Sequence, residues 1–145
     1  MNEIIELNSK ILIVSANLRG GNIYKKLYEI SPKFNIVAGT CPTVGITGYT
    51  LGGGHGIMTS YYGITAHYLE SAKIVLPSGE FKEVSDQNDP EIMWALRGGG
   101  HNLGIVTELK FNYESIPEHN WNLLLLINPS SNNENTAKVC KFFEV

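Results

Sequence analysis

Residues 39–56 read Gly-Thr-Cys-Pro-Thr-Val-Gly-Ile-Thr-Gly-Tyr-Thr-Leu-Gly-Gly-Gly-His-Gly, so seven of eighteen positions are glycine. Glycine at this density marks backbone that lies against something bulky, or turns through positive φ, at repeated points. Val44, Ile46 and Leu51 are threaded through the stretch, unlike a flexible linker, which is polar and rich in Gly and Ser. It reads as a buried, close-approach loop carrying one thiol, Cys41.

The surrounding chain has the size of one domain with a real core: 145 residues, 43% hydrophobic and 17% charged, which is globular composition. A net charge of −3 with no Lys/Arg cluster gives no support for nucleic acid or an anionic membrane as partner. The longest apolar run, 123–127, is too short to cross a bilayer. The opening Met1-Asn2-Glu3 does not read as a secretory signal. Cys41 and Cys140 are too few for a disulfide framework, and compartment and oligomeric state stay open.

Taken in order, segments 4–7 and 10–16 are rich in Ile, Leu and Val around the turn pair Asn8-Ser9, which predicts a hairpin. Gly20-Gly21 breaks that pattern. Ile23, Leu27 and Ile30 then share one helical face, predicting a helix that stops before Pro32. Segment 34–38 reads as a strand leading into the glycine-rich loop, and 57–62 as a short helix. Segments 68–76 and 80–84 flank Pro77-Ser78-Gly79 and read as a second hairpin. Asp89, Pro90 and Glu91 make a good helix start, as cap, first-turn proline and first-turn acid. That helix should end at Arg97, before a second glycine cluster, Gly98-Gly99-Gly100. Segment 105–116 reads as a long alternating strand, 121–127 as another strand, and 136–145 as the start of a helix. Regular β-α-β alternation is missing. The expected class is therefore α+β, an antiparallel sheet flanked by helices.

Two phosphate-loop readings fail. A Walker loop needs glycine followed by lysine, which occurs nowhere here. A dinucleotide fingerprint needs a preceding strand and a following helix, whereas residues 98–104 follow a helix and enter a strand, and residues 52–56 have the wrong spacing. No serine sits in a nucleophile-elbow context, which disfavours a hydrolase. His55, His67, His101 and His119 have no metal-site spacing and read as surface or hydrogen-bonding groups. Trp94 and Trp121 read as core.

The Gly-Thr-Cys-Pro-Thr-Val-Gly-Ile-Thr-Gly run at 39–48, with Gly52-Gly53-Gly54-His55-Gly56, resembles the flavin loop of the berberine-bridge-enzyme-like FAD-linked oxidases. These are flavoproteins of the vanillyl-alcohol-oxidase superfamily, which has a PCMH-type (p-cresol methylhydroxylase) FAD-binding domain. Tyr62-Gly63-Ile64, the Pro77-Ser78-Gly79 hairpin and Trp94-Ala95-Leu96-Arg97 follow in family order. The run from Gly98 to Thr107 (Gly-Gly-Gly-His-Asn-Leu-Gly-Ile-Val-Thr) comes after them. The resemblance covers roughly residues 1–116.

The resemblance implies that FAD is the cofactor and that residues 1–116 are the second lobe of the FAD-binding domain. A substrate domain would begin within 117–145, and the lobe with the pyrophosphate loop and the 8α-linking histidine would lie outside this chain. Flavin contacts carried over are Thr40, Cys41, Val44, Gly45, Thr47, Gly48, Tyr49, Gly53, Gly54, Gly56, Ile105 and Val106. The glycines would let backbone meet the flat ring, and loop amides would bond its oxygens. Cys41 stands at the position that forms a thioether to flavin carbon 6 in doubly tethered members. The rival reading of that thiol is a buried, unreactive one. Tyr49 departs from the family, standing where many members have histidine, as does His67-Tyr68, where Asp-Asn is common. The implied reaction is hydride transfer from an alcohol, sugar or alkaloid C–H to flavin, reoxidised by oxygen. Its competitor is a truncated relative that keeps the fold and binds no flavin. A third class, a small carbohydrate-binding module, leaves the glycine clusters unexplained.

Overall fold

The computed structural model describes residues 5–8, 11–31 and 33–115. Strands β1 (Ile5–Asn8) and β2 (Ile11–Ser15) pair antiparallel with Ile5 opposite Val14, as the first hairpin requires. The second hairpin forms from β4 (Leu69–Val75) and β5 (Phe81–Ser85), with Val75 opposite Phe81 across the turn at 76–80. Strand β6 (Ile105–Asn112) lies between the two hairpins, so the sheet order is β1-β2-β6-β4-β5 with every pair antiparallel. A helix-bearing antiparallel sheet is the expected α+β class.

Alternation with period two explains which side chains enter the core. Leu12 and Val14 on β2, and Leu109 and Phe111 on β6, are fully buried, while their in-between neighbours are not. Helices α1 (Gly20–Ile30), α2 (Ile46–Leu51) and α4 (Pro90–Leu96) add Ile23 and Leu27, Ile46 and Leu51, and Met93 and Leu96 to the same cluster. Each such side chain contributes about 1.5–3 kcal/mol by leaving water. Helix α3 (Thr59–Tyr62) is a single turn without a buried residue.

Several expectations are corrected. The strand expected at 34–38 is only β3 (Phe34–Asn35), paired with β7 (Glu114–Ser115). Beyond it Ile36, Val37 and Ala38 are buried outside any strand, and the carbonyl of Val37 is taken by the Thr65 hydroxyl. The long strand expected at 105–116 breaks at Tyr113, because its last residues join that separate two-stranded sheet. Asp89 stands at the start of α4 but makes no side-chain cap; its carboxylate pairs with Lys82 at 2.9 Å instead. Trp94, expected in the core, is 80% exposed, because α4 buries the face carrying Met93 and Leu96. The strand at 121–127, the helix at 136–145, His119, Trp121 and Cys140 lie outside the described residues.

Candidate flavin-binding site

The glycine-rich stretch is more ordered than a loop. It contains α2, which the density of glycine concealed, and its apolar members Ile46 and Leu51 anchor that helix in the core. Ahead of α2, residues 41–45 form a hook docked on the N-terminus of α1. Two amides of the first turn of α1, Gly20 N–H and Gly21 N–H, donate to the carbonyls of Val44 and Pro42 at 3.0 Å each. Helices leave such first-turn donors without partners of their own. Arg19 donates through Nη1 to the Thr43 carbonyl at 3.2 Å, and Ile46 N–H donates to the Leu18 carbonyl at 2.9 Å. Gly20-Gly21 therefore opens the helix rather than preceding it. A Cβ on Gly21 would stand 2.7 Å from the Pro42 Cβ, so only glycine lets the hook seat there.

Cys41 is exposed, which rules out the buried, inert thiol. Its Sγ lies 3.2 Å from the Thr43 hydroxyl. That hydroxyl, and then the Thr43 backbone amide, hold the thiol below its ordinary value. Thiolate is the nucleophilic form of cysteine.

The sulfur opens on a cleft of about 310 Å³ lined by Gly39, Thr40, Cys41, Val44, Tyr49, His55, Gly56 and Ile57. Two tyrosines hold its Gly39 edge. Tyr24 on α1 donates to the Gly39 carbonyl at 3.2 Å, and burial pushes its phenol up to about 12. The ring of Tyr49 on α2 packs against Gly39, Gly54 and Gly56. Its hydroxyl is buried beside the Thr65 hydroxyl, and burial is the main reason its phenol is raised above the ordinary value. The neighbouring Thr65 hydroxyl donates to the carbonyls of Val37 and Gly54.

The expected contact residues divide into groups. Gly54 (φ +74°) and Gly56 are required by the protein's own packing, because a Cβ would come within 2.6 Å of Thr65 and 2.3 Å of the Ala38 carbonyl oxygen respectively. Gly53 has φ +98°. Gly45 and Gly48 are different: a Cβ on either would meet nothing within 4 Å, and both backbones are exposed. They flank Val44 and Tyr49 of the cleft lining, so small residues here leave room outside the protein, as a flat ligand requires. The Thr47 hydroxyl is committed to the Ala16 carbonyl at 2.9 Å.

The residues that follow the second glycine cluster, His101, Asn102, Gly104 and Ile105, line a separate cleft of about 450 Å³ with the turn of the second hairpin. Ile105 is 71% exposed, while Val106 is buried. The two glycine segments meet at the end of α2, where a Cβ on Gly100 would stand 2.8 Å from Leu51. Arg97 pins the entry to this cluster with paired bonds to Asp86 at 2.9 and 2.7 Å and a third to the Leu69 carbonyl at 2.8 Å. Among the described residues no group of three His, Cys, Asp or Glu could hold a metal, and no helix is long and apolar enough to cross a membrane.

A fold with an antiparallel sheet and two glycine clusters, and a site with an exposed thiol beside open-faced glycine backbone, define a cofactor-binding domain. The FAD binding domain family matches residues 1–85. Glucooligosaccharide oxidase of Sarocladium strictum is 44% identical over 55% of this chain and 16% of its own length. Berberine bridge enzyme-like 6 of Arabidopsis thaliana is 32% identical over 79% of this chain and 20% of its own. A solved structure of the Acremonium strictum glucooligosaccharide oxidase, described as carrying a 6-S-cysteinyl, 8α-N1-histidyl FAD, superposes with TM-score 0.76. It is 32% identical over 80% of this chain and 24% of that one. The chain therefore belongs to the PCMH-type FAD-binding domains of the berberine-bridge-enzyme-like, FAD-linked oxidoreductases. It spans about a quarter or less of the length of each of these relatives.

The residues present fit FAD. The unfilled space over Gly45 and Gly48 and the exposed Cys41 sulfur would supply a flat wall and a nucleophile.

Proposed function

We propose that this chain forms one wall of the FAD site of an oxidase that takes hydride from a CH–OH donor, with dioxygen as the final acceptor. Within that class we favour a carbohydrate, because oligosaccharides are the named substrates of several similar proteins. The reading treats residues 1–116 as the second lobe of the cofactor cradle. The remaining cradle and the substrate pocket are assigned elsewhere in the working enzyme.

Bound FAD supplies the two-electron acceptor, and the protein supplies binding, orientation and electrostatics. Backbone at Gly45 and Gly48 would lie against the ring, where any side chain would hold it off. Thr40, Val44 and Tyr49 would border it, and Gly53, Gly54 and Gly56 would keep the returning chain close beneath Tyr49. Ile105, with Val106 behind it, would contact a more distant part of the cofactor. Cys41 would carry the covalent attachment.

The single observation that carries this reading is the exposed Cys41 sulfur at the mouth of the cleft. The test is to incubate the purified chain with FAD, precipitate it in acid and record the visible spectrum of the pellet. Yellow colour that survives acid in the wild type and disappears in Cys41→Ala is the expected result. A coloured Cys41→Ala pellet overturns the assignment of Cys41.

A further inference from the structure

We infer that Thr43 is a positioning residue for flavin attachment, its hydroxyl holding the Cys41 sulfur toward the cleft; this rests on the reading of Cys41 above. Three observations carry it. The Thr43 hydroxyl is 3.2 Å from Sγ, the one side-chain contact recorded for that sulfur among the described residues. Thr43 itself is not free to drift, because its carbonyl is held by Arg19 and its neighbours Pro42 and Val44 are bonded to the first turn of α1. The sulfur so held lines the same cleft as Thr40, Val44 and Tyr49.

The docking frame gives the arrangement its direction. An exposed cysteine samples several rotamers, and a hydrogen bond from a fixed neighbour selects among them. Donation by the Thr43 hydroxyl stabilises the thiolate, since hydrogen bonds to a charged acceptor are the stronger ones. A sulfur that is ionised more often, and aimed more often, attacks faster. The net attachment step forms one bond between sulfur and a flavin ring carbon and breaks one S–H and one ring C–H bond. The two electrons and two protons released leave on dioxygen as hydrogen peroxide.

The test separates thiol from flavin. Alkylation by iodoacetamide is followed on the Cys41-containing peptide by mass spectrometry across pH, with no flavin present, in wild type, Thr43→Val and Thr43→Ser. Thr43 is exposed, so the near-isosteric valine leaves the fold in place. The expected result is alkylation of Thr43→Val slowed roughly two- to tenfold near neutral pH, about the worth of one hydrogen bond, with Thr43→Ser restored. The rate of acid-stable flavin incorporation should fall in Thr43→Val and return in Thr43→Ser. Wild-type alkylation by Thr43→Val overturns the inference, as does slowed alkylation with undiminished flavin attachment. Acid-stable flavin on Cys41→Ala overturns the underlying assignment of Cys41, and the flavin role of Thr43 with it; the alkylation profile then judges only whether Thr43 acts on the thiol.

Discussion

Gly48→Ala separates what the protein needs from what its ligand needs. Gly48 lies inside α2, at ordinary helical backbone angles, and a Cβ there meets nothing within 4 Å. Glycine within a helix costs about 0.5–1 kcal/mol relative to alanine, through the entropy its unfolded chain loses. The flavin-free variant should therefore be more stable by that amount, a rise in Tm of roughly 1–4 °C for a chain of this size. If the flavin ring lies against this backbone, the same methyl intrudes on a packed contact, at a cost of about 1–3 kcal/mol. FAD binding should then weaken by roughly 5- to 150-fold. Calorimetric melting without flavin and fluorescence titration with FAD read the two effects. A variant that melts higher and binds FAD as tightly as wild type refutes the placement of the ring. A variant that melts lower refutes the claim that the space over Gly48 is open.

Two further predictions rest on the same coordinates. Gly56→Ala puts a Cβ 2.3 Å from the Ala38 carbonyl oxygen; backbone has to shift, so stability should fall by about 1–3 kcal/mol or more even without flavin, and urea unfolding with an unchanged midpoint would contradict this. The carboxyl of Asp86 is held below its ordinary value, chiefly by hydrogen bonding to Arg97. Its contribution is then present above the unfolded carboxylate value, about 3.9, and is lost as pH falls through the lower folded value; Asp86→Asn should destabilise at pH 7 and match wild type at the acid end, as read by urea midpoints at both pH values.

The two hairpins and the helices over residues 23–30 and 90–96 were legible because short-range rules decide them. Alternation, a turn sequence and an apolar helical stripe each act within a few residues. Helix α2 was not legible, because Gly48 and the surrounding glycines lower its local propensity. It forms because Ile46 and Leu51 are buried by residues distant in the chain. The same limit explains Asp89 and Trp94. A good cap and a large apolar side chain are local signals, but Lys82 on the preceding strand β5 and the burial of Met93 and Leu96 decide where those side chains go.

Residue order alone was enough to read the α+β class, the two glycine clusters and the thiol within the first of them, together with the family that arrangement resembles. Only the tertiary structure separated the glycines. Gly21, Gly54 and Gly56 answer to Pro42, Thr65 and Ala38, whereas Gly45 and Gly48 face open space. Composition cannot make that distinction, because it depends on which distant atoms arrive opposite each α-carbon. The same is true of the thiol. Cys41 is exposed and hydrogen-bonded to Thr43 because Pro42 and Val44 dock on the first turn of α1, a contact between segments some twenty residues apart.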